Sequence, residues 1–305
     1  CGNPAGIVCV VRSCKGDCMI DFPENWEFGR TVSRAMDSGL DWIIINFDPF
    51  FDAITIFVLR GILLPLEKFL LWLPWWLVVA VVVLIAFRIN GRKIAFGTAL
   101  GMMLLGGIGL WDLAMSTLAI VLASTLLAIG MGMPLGILGA KNDRFDGMMR
   151  PILDGMQTMP SFVYLIPALM LLGLGKVPAV MATVIYSIPP IIRLTNLGIR
   201  QVDPEVIEAA RAFGSTGKQI LLKVQIPMAK PTIMAGVNQT IMMALAMVVI
   251  ASMIGAKTIG TEVLNGIARL EVGRGFIGGV GIVIMAIIID RISQGLAKPR
   301  RIRSE

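Results

Sequence analysis

The sequence predicts an all-α fold, a polytopic membrane helix bundle of about seven spans with its N-terminus outside and its C-terminus in the cytoplasm. Three observations lead to this prediction. Hydrophobic residues make up 56% of the 305-residue chain and charged residues only 15%, whereas soluble domains average roughly 45–50% apolar and about 25% charged residues. The apolar residues are gathered into long runs. The basic residues are concentrated in alternate connections between these runs.

Seven apolar runs approach the ~20 residues that a helix needs to cross about 30 Å of hydrocarbon. Several of them are short or contain proline. They cover residues 74–88, 94–110, 113–139, 152–174, 177–196, 233–255 and 276–292. We therefore expect residues 74–298 to form the membrane domain.

The segment before the first run, residues 54–73, is apolar but contains Arg60, Glu67 and Lys68. These charges leave no uninterrupted stretch of about 18 residues, so an interfacial amphipathic helix fits the segment better than a span. The tryptophans at its end belong at headgroup level, where aromatic rings concentrate. Residues 1–53 are predicted to form an extracytoplasmic tail.

Basic residues are retained on the cytoplasmic side of a membrane, so their distribution predicts orientation. Of the 27 Lys and Arg residues, 17 fall in the set of connections that includes the C-terminus, and 10 fall in the set that includes the N-terminal tail. The N-terminus is therefore predicted to lie outside and the C-terminus inside. The long connection at residues 197–232 then lies in the cytoplasm.

Glycines four residues apart occur in or beside three of the runs, and such spacing lets helices approach closely. The pairs are Gly97-x3-Gly101, Gly132-x3-Gly136 and Gly275-x3-Gly279. Packing inside one chain is the interpretation we favour, and a contact between two copies is the alternative.

Composition also excludes several function classes. The chain has no histidine, the commonest metal ligand and the side chain whose ordinary pKa lies between pH 5 and 8. Its four cysteines all lie in the first 18 residues without the spacing of a zinc site, which leaves disulfides or free thiols. We predict no metal site and no catalytic residue. Nucleic-acid binding is excluded because the basic residues are dispersed and lack interleaved aromatic residues.

The connection at residues 197–232 is predicted to contain two short helices. In the first helix, Asp203 suits the N-cap and Pro204 the first helical position. Gly214 suits the left-handed residue that ends a helix. One face of this helix is apolar and cannot be buried on itself, so it packs on neighbouring loops or docks into a soluble partner. That face consists of Val206, Ala209, Ala210 and Phe213.

The second helix is predicted to begin at Ser215, which can act as its N-cap. It would extend to about Gln225, with Pro227 just beyond its end.

The same connection carries the motif Glu208-Ala-Ala-Arg-Ala-Phe-Gly214, followed nine residues later by Val224-Gln-Ile-Pro227. It resembles the EAA-x3-G-x9-I-x-L-P signature of the permease subunits of ABC importers, and departs from it only by Val for Ile and Ile for Leu. Further segments resemble the glycine betaine and proline betaine permeases of that class, and the likeness extends over about residues 38–298. These segments are residues 154–165, 188–195, 231–240 and 247–254.

In that family the loop inserts into an ATPase subunit. The resemblance therefore implies an ATPase-coupling role for Glu208, Ala209, Ala210, Phe213, Gly214, Val224, Ile226 and Pro227. It implies that no cofactor is held by this chain, because ATP and Mg²⁺ belong to the partner ATPase. An extracytoplasmic binding protein, a second permease copy forming a homodimer, and a location in the bacterial inner membrane are implied as well. The chain has no phosphate-binding Gly-x4-Gly-Lys-Ser/Thr motif of its own.

Few polar residues lie within the predicted spans. The candidates for a translocation path are Gln157, Tyr164, Asn238, Gln239 and Ser252. Hydrogen bonds between helices are the alternative role for each of them. Ionisable residues lie at or near the span ends, which disfavours a carrier driven by protons or sodium.

The resemblance implies a permease for quaternary-ammonium osmoprotectants of the betaine and choline type. A permease for another small solute, such as an amino acid, is the alternative. Nothing in the spans resembles an aromatic cage for a quaternary ammonium. We therefore expect the high-affinity recognition of substrate to reside in the binding protein.

Overall fold

A computed structural model of the chain describes residues 28–297. The four cysteines and about half of the predicted tail lie outside the described residues. Within residues 28–297 the regular secondary structure is helical throughout, which confirms the all-α fold.

The helices are α1 (Phe28–Ile56), α2 (Leu64–Trp72), α3 (Trp75–Asn90), α4 (Arg92–Gly107), α5 (Trp111–Lys141), α6 (Asp143–Thr158), α7 (Leu165–Leu172), α8 (Lys176–Arg200), α9 (Pro204–Ala212), α10 (Gly217–Ile220), α11 (Ile226–Ala251), α12 (Ile259–Ala268) and α13 (Val272–Ala297). A π-helical turn at Phe57–Leu63 joins α1 to α2, and another at Leu221–Gln225 joins α10 to α11. Short 3-10 turns lie at Ser161–Tyr164 and Ser252–Ile254.

Contacts divide the chain into two units, one ending at Pro49 and the other beginning at Phe50. Most of α1 belongs to the first unit, and this helix is largely exposed and is kinked at Phe47, two residues before Pro49. Proline explains the kink because it lacks the backbone N–H and its ring crowds the preceding turn. The second unit contains α2 to α13.

Four helical segments of the described chain are long and apolar enough to cross a membrane. They are Trp111–Lys141, Lys176–Arg200, Gly217–Ile254 and Val272–Leu296. The number rises to six if each of two bent helix pairs forms one span. The predicted count of seven and the predicted orientation of the termini are therefore not confirmed.

Three of the predicted runs account for the difference in span number. Runs 74–88 and 94–110 correspond to α3 and α4, which have 16 residues each. Such helices are about 24 Å long at 1.5 Å per residue, less than the ~30 Å of hydrocarbon. Run 152–174 is broken at Pro160, where α6 and the segment Ser161–Leu172 meet at 109°.

The centre of the second unit is the contact of α8 with α5 on one side and α11 on the other. Glycines on α5 permit the close approach. A β-carbon on Gly136 would lie 2.7 Å from the carbonyl oxygen of Ile192 and 2.7 Å from Cβ of Thr195, and Gly132 faces Ile191 in the same way. The internal packing predicted for this glycine pair is confirmed, because α8 of the same chain covers the face.

The other two glycine pairs behave less uniformly. Gly101 packs against Ile284 of α13, and Gly275 lies beside Gly266 of α12. Around Gly97 and Gly279, no described atom apart from the chain neighbours and the backbone of the same helix lies within 4 Å of a β-carbon position. In each of these pairs, one glycine therefore makes a close contact within the chain.

The segment predicted as an interfacial helix, residues 54–73, comprises the end of α1, a π turn and α2. Near its end Trp72 is 81% accessible, whereas Leu63 and Glu67 are buried within the second unit. The segment therefore has one packed side. Its position at the membrane interface stays a prediction.

Candidate coupling site and polar groups of the membrane helices

Helix α9 begins and ends at the residues that the sequence predicts. The Asp203 carboxylate accepts a hydrogen bond of 2.9 Å from the backbone N–H of Glu205, and Pro204 occupies the first helical position. At the other end Gly214 has φ +76°, a left-handed conformation that glycine adopts without a steric cost. The N–H of Ser215 then donates to the carbonyl of Ala210 at 3.1 Å. Both predicted ends are confirmed.

The second helix differs from its prediction. Its N-cap is Thr216, not Ser215, and Thr216 and Gln219 bond to each other's backbone N–H groups in a capping box. The helix does not end before Pro227. It continues through the π turn Leu221–Gln225 into α11, so that Gly217–Ile254 is one helical segment.

Proline is accommodated at this point because of the π turn. A proline inside an α-helix crowds the carbonyl four residues earlier. Here the turn just before Pro227 has i→i+5 bonds, such as that from Ile226 N–H to the carbonyl of Leu221, and the wider turn changes that geometry. The prediction that Pro227 lies beyond a helix end was therefore wrong.

The motif residues fall into two groups by exposure. Glu208, Ala209 and Phe213 are exposed, with Phe213 90% accessible, and α9 has no buried residue. Val224 and Ile226 are half-buried where the π turn packs beside α9. Of the other predicted coupling residues, Ala210 is half-buried, and Gly214 and Pro227 are exposed. The exposed residues of α9 therefore present an apolar and acidic surface, which the π turn supports.

A polar cluster ties the base of this loop to α5 and α6. Arg200, the last residue of α8, pairs with Asp143 at 2.7 Å and donates to the carbonyl of Gly139 at 2.7 Å. Its Nε donates to Asn196 at 2.8 Å, and Asn196 donates to the buried Asp146 at 2.6 Å. The sequence gives no indication of this cluster, because its members come from three separate segments.

Three candidate path residues are bonded inside the bundle. The Tyr164 hydroxyl donates to the carbonyl of Met156, and its ring contacts Tyr186 edge-on at 5.9 Å. Ser252 donates to the carbonyl of Val249 at 2.7 Å. Asn238 of α11 belongs to a separate cluster.

In that cluster, Asn238 accepts from Ser293 and donates to Asp290 at 3.3 Å, and Gln294 donates to Asp290 at 2.7 Å. The other two candidates, Gln157 and Gln239, are exposed. The structure thus places Gln157 on α6, Asn238 and Gln239 on α11, and Tyr164 and Ser252 in the two 3-10 turns. A path role for them stays a prediction.

Two further ion pairs connect helices. Glu67 of α2 is buried, accepts from Ser116 of α5 at 2.8 Å and pairs with Lys176 of α8. Glu262 of α12 accepts bonds of 2.5 and 3.2 Å from Arg274. The Arg274 hydrogen bond lowers the pKa of the Glu262 carboxyl, against the opposing effect of burial. Sequence reasoning missed both pairs.

Comparison with known proteins identifies the family to which the chain belongs. Residues 132–302 match the family described as "Binding-protein-dependent transport system inner membrane component". The chain is 48% identical over 268 residues to the glycine betaine/proline betaine transport system permease protein ProW of Escherichia coli (strain K12), covering 87% of this chain and 75% of that protein. It is 46% identical to the glycine betaine/carnitine transport permease protein GbuB of Listeria monocytogenes, over 84% of this chain and 92% of that protein.

A solved structure has the same fold. A chain of the MetNI methionine ABC transporter, in an inward-facing conformation, superposes with a TM-score of 0.53 over 60% of this chain and 91% of that chain. The two sequences are 21% identical, so the likeness concerns the fold alone.

Proposed function

Because the chain belongs to the family of binding-protein-dependent transport system inner membrane components, we propose that it is the permease subunit of an ABC importer for quaternary-ammonium osmoprotectants such as glycine betaine. As a member of that family it is a transport component of the inner membrane rather than an enzyme. The substrate class is supported by relatives named for glycine betaine, proline betaine and carnitine, which align with most of the chain.

The observation that carries the proposal is the exposed face of α9. An amphipathic helix with no buried residue and an apolar side chain 90% exposed at its end is suited to a groove on a soluble partner. We assign that partner as a separate ATPase subunit that binds ATP and Mg²⁺. Phe213 and Ala209 would fill the groove, and Glu208 would select the partner by charge.

The helices that flank the loop suit it to transmitting a displacement. On one side α8 reaches the loop at Arg200, which is bonded to α5 and α6. On the other side the segment Gly217–Ile254 continues without a break to the far end of the bundle. A displacement of α9 would therefore move the packed helices α8 and α11 together, which would alternate access to a path through the membrane.

Two further partners belong to the proposal. An extracytoplasmic binding protein would deliver the substrate at the end of the bundle opposite α9. A second copy of the chain would complete a homodimer, for which α13 offers an apolar surface that is largely exposed, including Phe276 and Val283.

The test is transport by the complete complex in vesicles. The chain would be reconstituted with its ATPase and binding protein, and uptake of labelled glycine betaine would be measured with ATP inside. Glycine betaine, proline betaine, choline and carnitine should compete for uptake and stimulate ATP hydrolysis. If none of them does and an amino acid does, the substrate class is wrong and the amino-acid alternative replaces it. ATP hydrolysis by the purified chain alone would contradict the assignment of ATP to a partner.

A further inference from the structure

An apolar cavity of about 260 Å³ lies between five helices of the bundle. It runs along α5 from Trp111 to Thr125, about 21 Å at 1.5 Å per residue. Its other walls come from α3, α4, α11 and α13, through Val82, Leu105, Ile241 and Met285. The cavity reaches the surface of the bundle at Leu122 and Leu296, which are 38% and 55% exposed.

A second cavity of about 540 Å³ adjoins the first, because Met102 and Trp111 line both. The second cavity is bounded by Trp75 at the start of α3 and by Gly107 at the end of α4. Tryptophan rings concentrate at the level of lipid headgroups. The two adjoining cavities, called the groove below, have an aromatic end at Trp75 and Trp111 and an apolar interior.

The polar atoms of the inner cavity are few. Ser293 donates to Asn238 and to the carbonyl of Asp290, so its hydroxyl is already satisfied. Thr125 is 5% exposed, and its hydroxyl finds no hydrogen-bond partner within residues 28–297. One hydroxyl cannot hold a water, which needs two to four polar partners. Water is therefore not the occupant.

The size and shape of the groove suit a hydrocarbon chain. A cavity of ~150 Å³ already binds benzene, and this one is larger. An acyl chain reaches across about half of the ~30 Å hydrocarbon layer, which the ~21 Å length from Trp111 to Thr125 accommodates. Lipid tails are as apolar as the walls of the cavity. The favourable free energy of binding therefore comes from van der Waals contacts that an empty cavity lacks.

We propose that this groove binds one phospholipid of the bilayer, with an acyl chain in the inner cavity and the glycerol end beside Trp75 and Trp111. The bound chain would fill the space between α3 and α4 on one side and α5 and α13 on the other. It would act as a structural lipid of the permease, independent of the transported solute.

The test compares three variants of the full chain by native mass spectrometry after extraction from bacterial membranes. Leu118→Trp places a large side chain in the inner cavity, and Leu122→Phe is a milder filling change. Leu126→Trp is the matched control, because Leu126 lies on the same helix, is 60% exposed and is not part of the lining. Wild type and Leu126→Trp should retain one phospholipid, whereas both filling variants should lose it.

Equal retention of phospholipid by both filling variants, at unchanged melting temperature, would overturn the proposal. An adduct with the mass of detergent or of a fatty acid only would also overturn it. If both filling variants fail to fold, quenching decides. The fluorescence of Trp111 is the part of the wild-type signal that is missing from Trp111→Phe. Brominated phospholipid that stays bound to the wild-type chain through purification should quench this part. Absence of that quenching would refute the site.

Discussion

The carboxylate of Glu67 pairs with the ammonium group of Lys176 and thereby joins α2 to the first turn of α8. The two residues are 109 positions apart, and Ser116 of α5 donates to the same carboxylate oxygen at 2.8 Å. The side chain of Glu67 is 9% exposed and that of Lys176 is 27% exposed. Three helices of the second unit therefore meet at one partly buried charge pair.

A double-mutant cycle should show that this pair is coupled. Removing one partner of a buried ion pair lowers the free energy of unfolding by ~3–5 kcal/mol. Because Lys176 is partly exposed, we expect a loss of about 1–3 kcal/mol for this pair. Glu67→Gln and Lys176→Met should each lower the melting temperature of the purified chain, and the double variant should lose less than the sum. Strict additivity of the two losses would contradict the pairing.

Substitutions at two glycines of α5 should have opposite effects. Gly136→Ala places a methyl group 2.7 Å from a backbone carbonyl and from Thr195, so α8 must move. We expect the free energy of unfolding to fall by about 1–3 kcal/mol, which is the usual effect of overpacking. The matched control is Gly130→Ala, where no described atom apart from the chain neighbours and the backbone of the same helix lies within 4 Å of the added methyl group. It should be neutral or stabilise the helix by about 0.5–1 kcal/mol, and equal melting temperatures of the two variants would refute the contact.

Local signals in the sequence predict part of this architecture. The N-cap at Asp203 and the left-handed Gly214 depend on one turn of chain, and both appear in the structure as predicted. The all-α fold follows from composition in the same way. The motif that begins at Glu208 also lies within one continuous segment, so it could be found without knowledge of the fold.

Other features depend on contacts between distant segments, which no local pattern encodes. The bonds of Arg200 to Asp143 and Gly139 require α8 to meet α5 and α6. Pro227 indicates a helix end by local rules, yet a π turn carries the helix through it. The predicted seven spans are not confirmed, because α3 and α4 are short and because the run 152–174 bends at Pro160.

Changing the end of α9 should uncouple ATP hydrolysis from transport. Gly214→Val forces a β-branched residue into a left-handed conformation, which costs about 1–2 kcal/mol, although no atom obstructs the side chain. In the complete complex we expect ATP hydrolysis to persist while uptake falls. Gly217→Ala, also unobstructed but without a positive φ, should transport normally. Normal coupled uptake by Gly214→Val would contradict the coupling role.

Shortening Phe213 should weaken binding of the ATPase subunit. Buried aromatic anchors of an interface contribute about 2–4 kcal/mol on truncation to alanine, and Phe213 is 90% exposed in the isolated chain. Phe213→Ala should therefore release the ATPase during co-purification, with Glu208→Lys acting in the same direction through charge. Ile267→Ala is the control, since Ile267 is 67% exposed and lies on α12, outside the loop that contains α9. Retention of the ATPase by Phe213→Ala would place the docking surface elsewhere.

The pair between Glu262 and Arg274 should make the stability of the chain depend on pH. The hydrogen bond from Arg274 lowers the pKa of Glu262 below its ordinary value of 4.5, and the nearby Arg269 acts in the same direction. A carboxyl whose pKa is lower in the folded state contributes stability above its unfolded pKa and loses that stability as the pH falls through the folded value. The melting temperature should therefore decrease as the pH is lowered from about 6 to about 3. Glu262→Gln cannot titrate, so its melting temperature should depend less on pH, whereas Glu271→Gln, which removes a carboxylate 3.7 Å from Arg274, should keep most of the wild-type slope. Identical pH slopes for wild type and Glu262→Gln would show that this carboxyl does not titrate with folding.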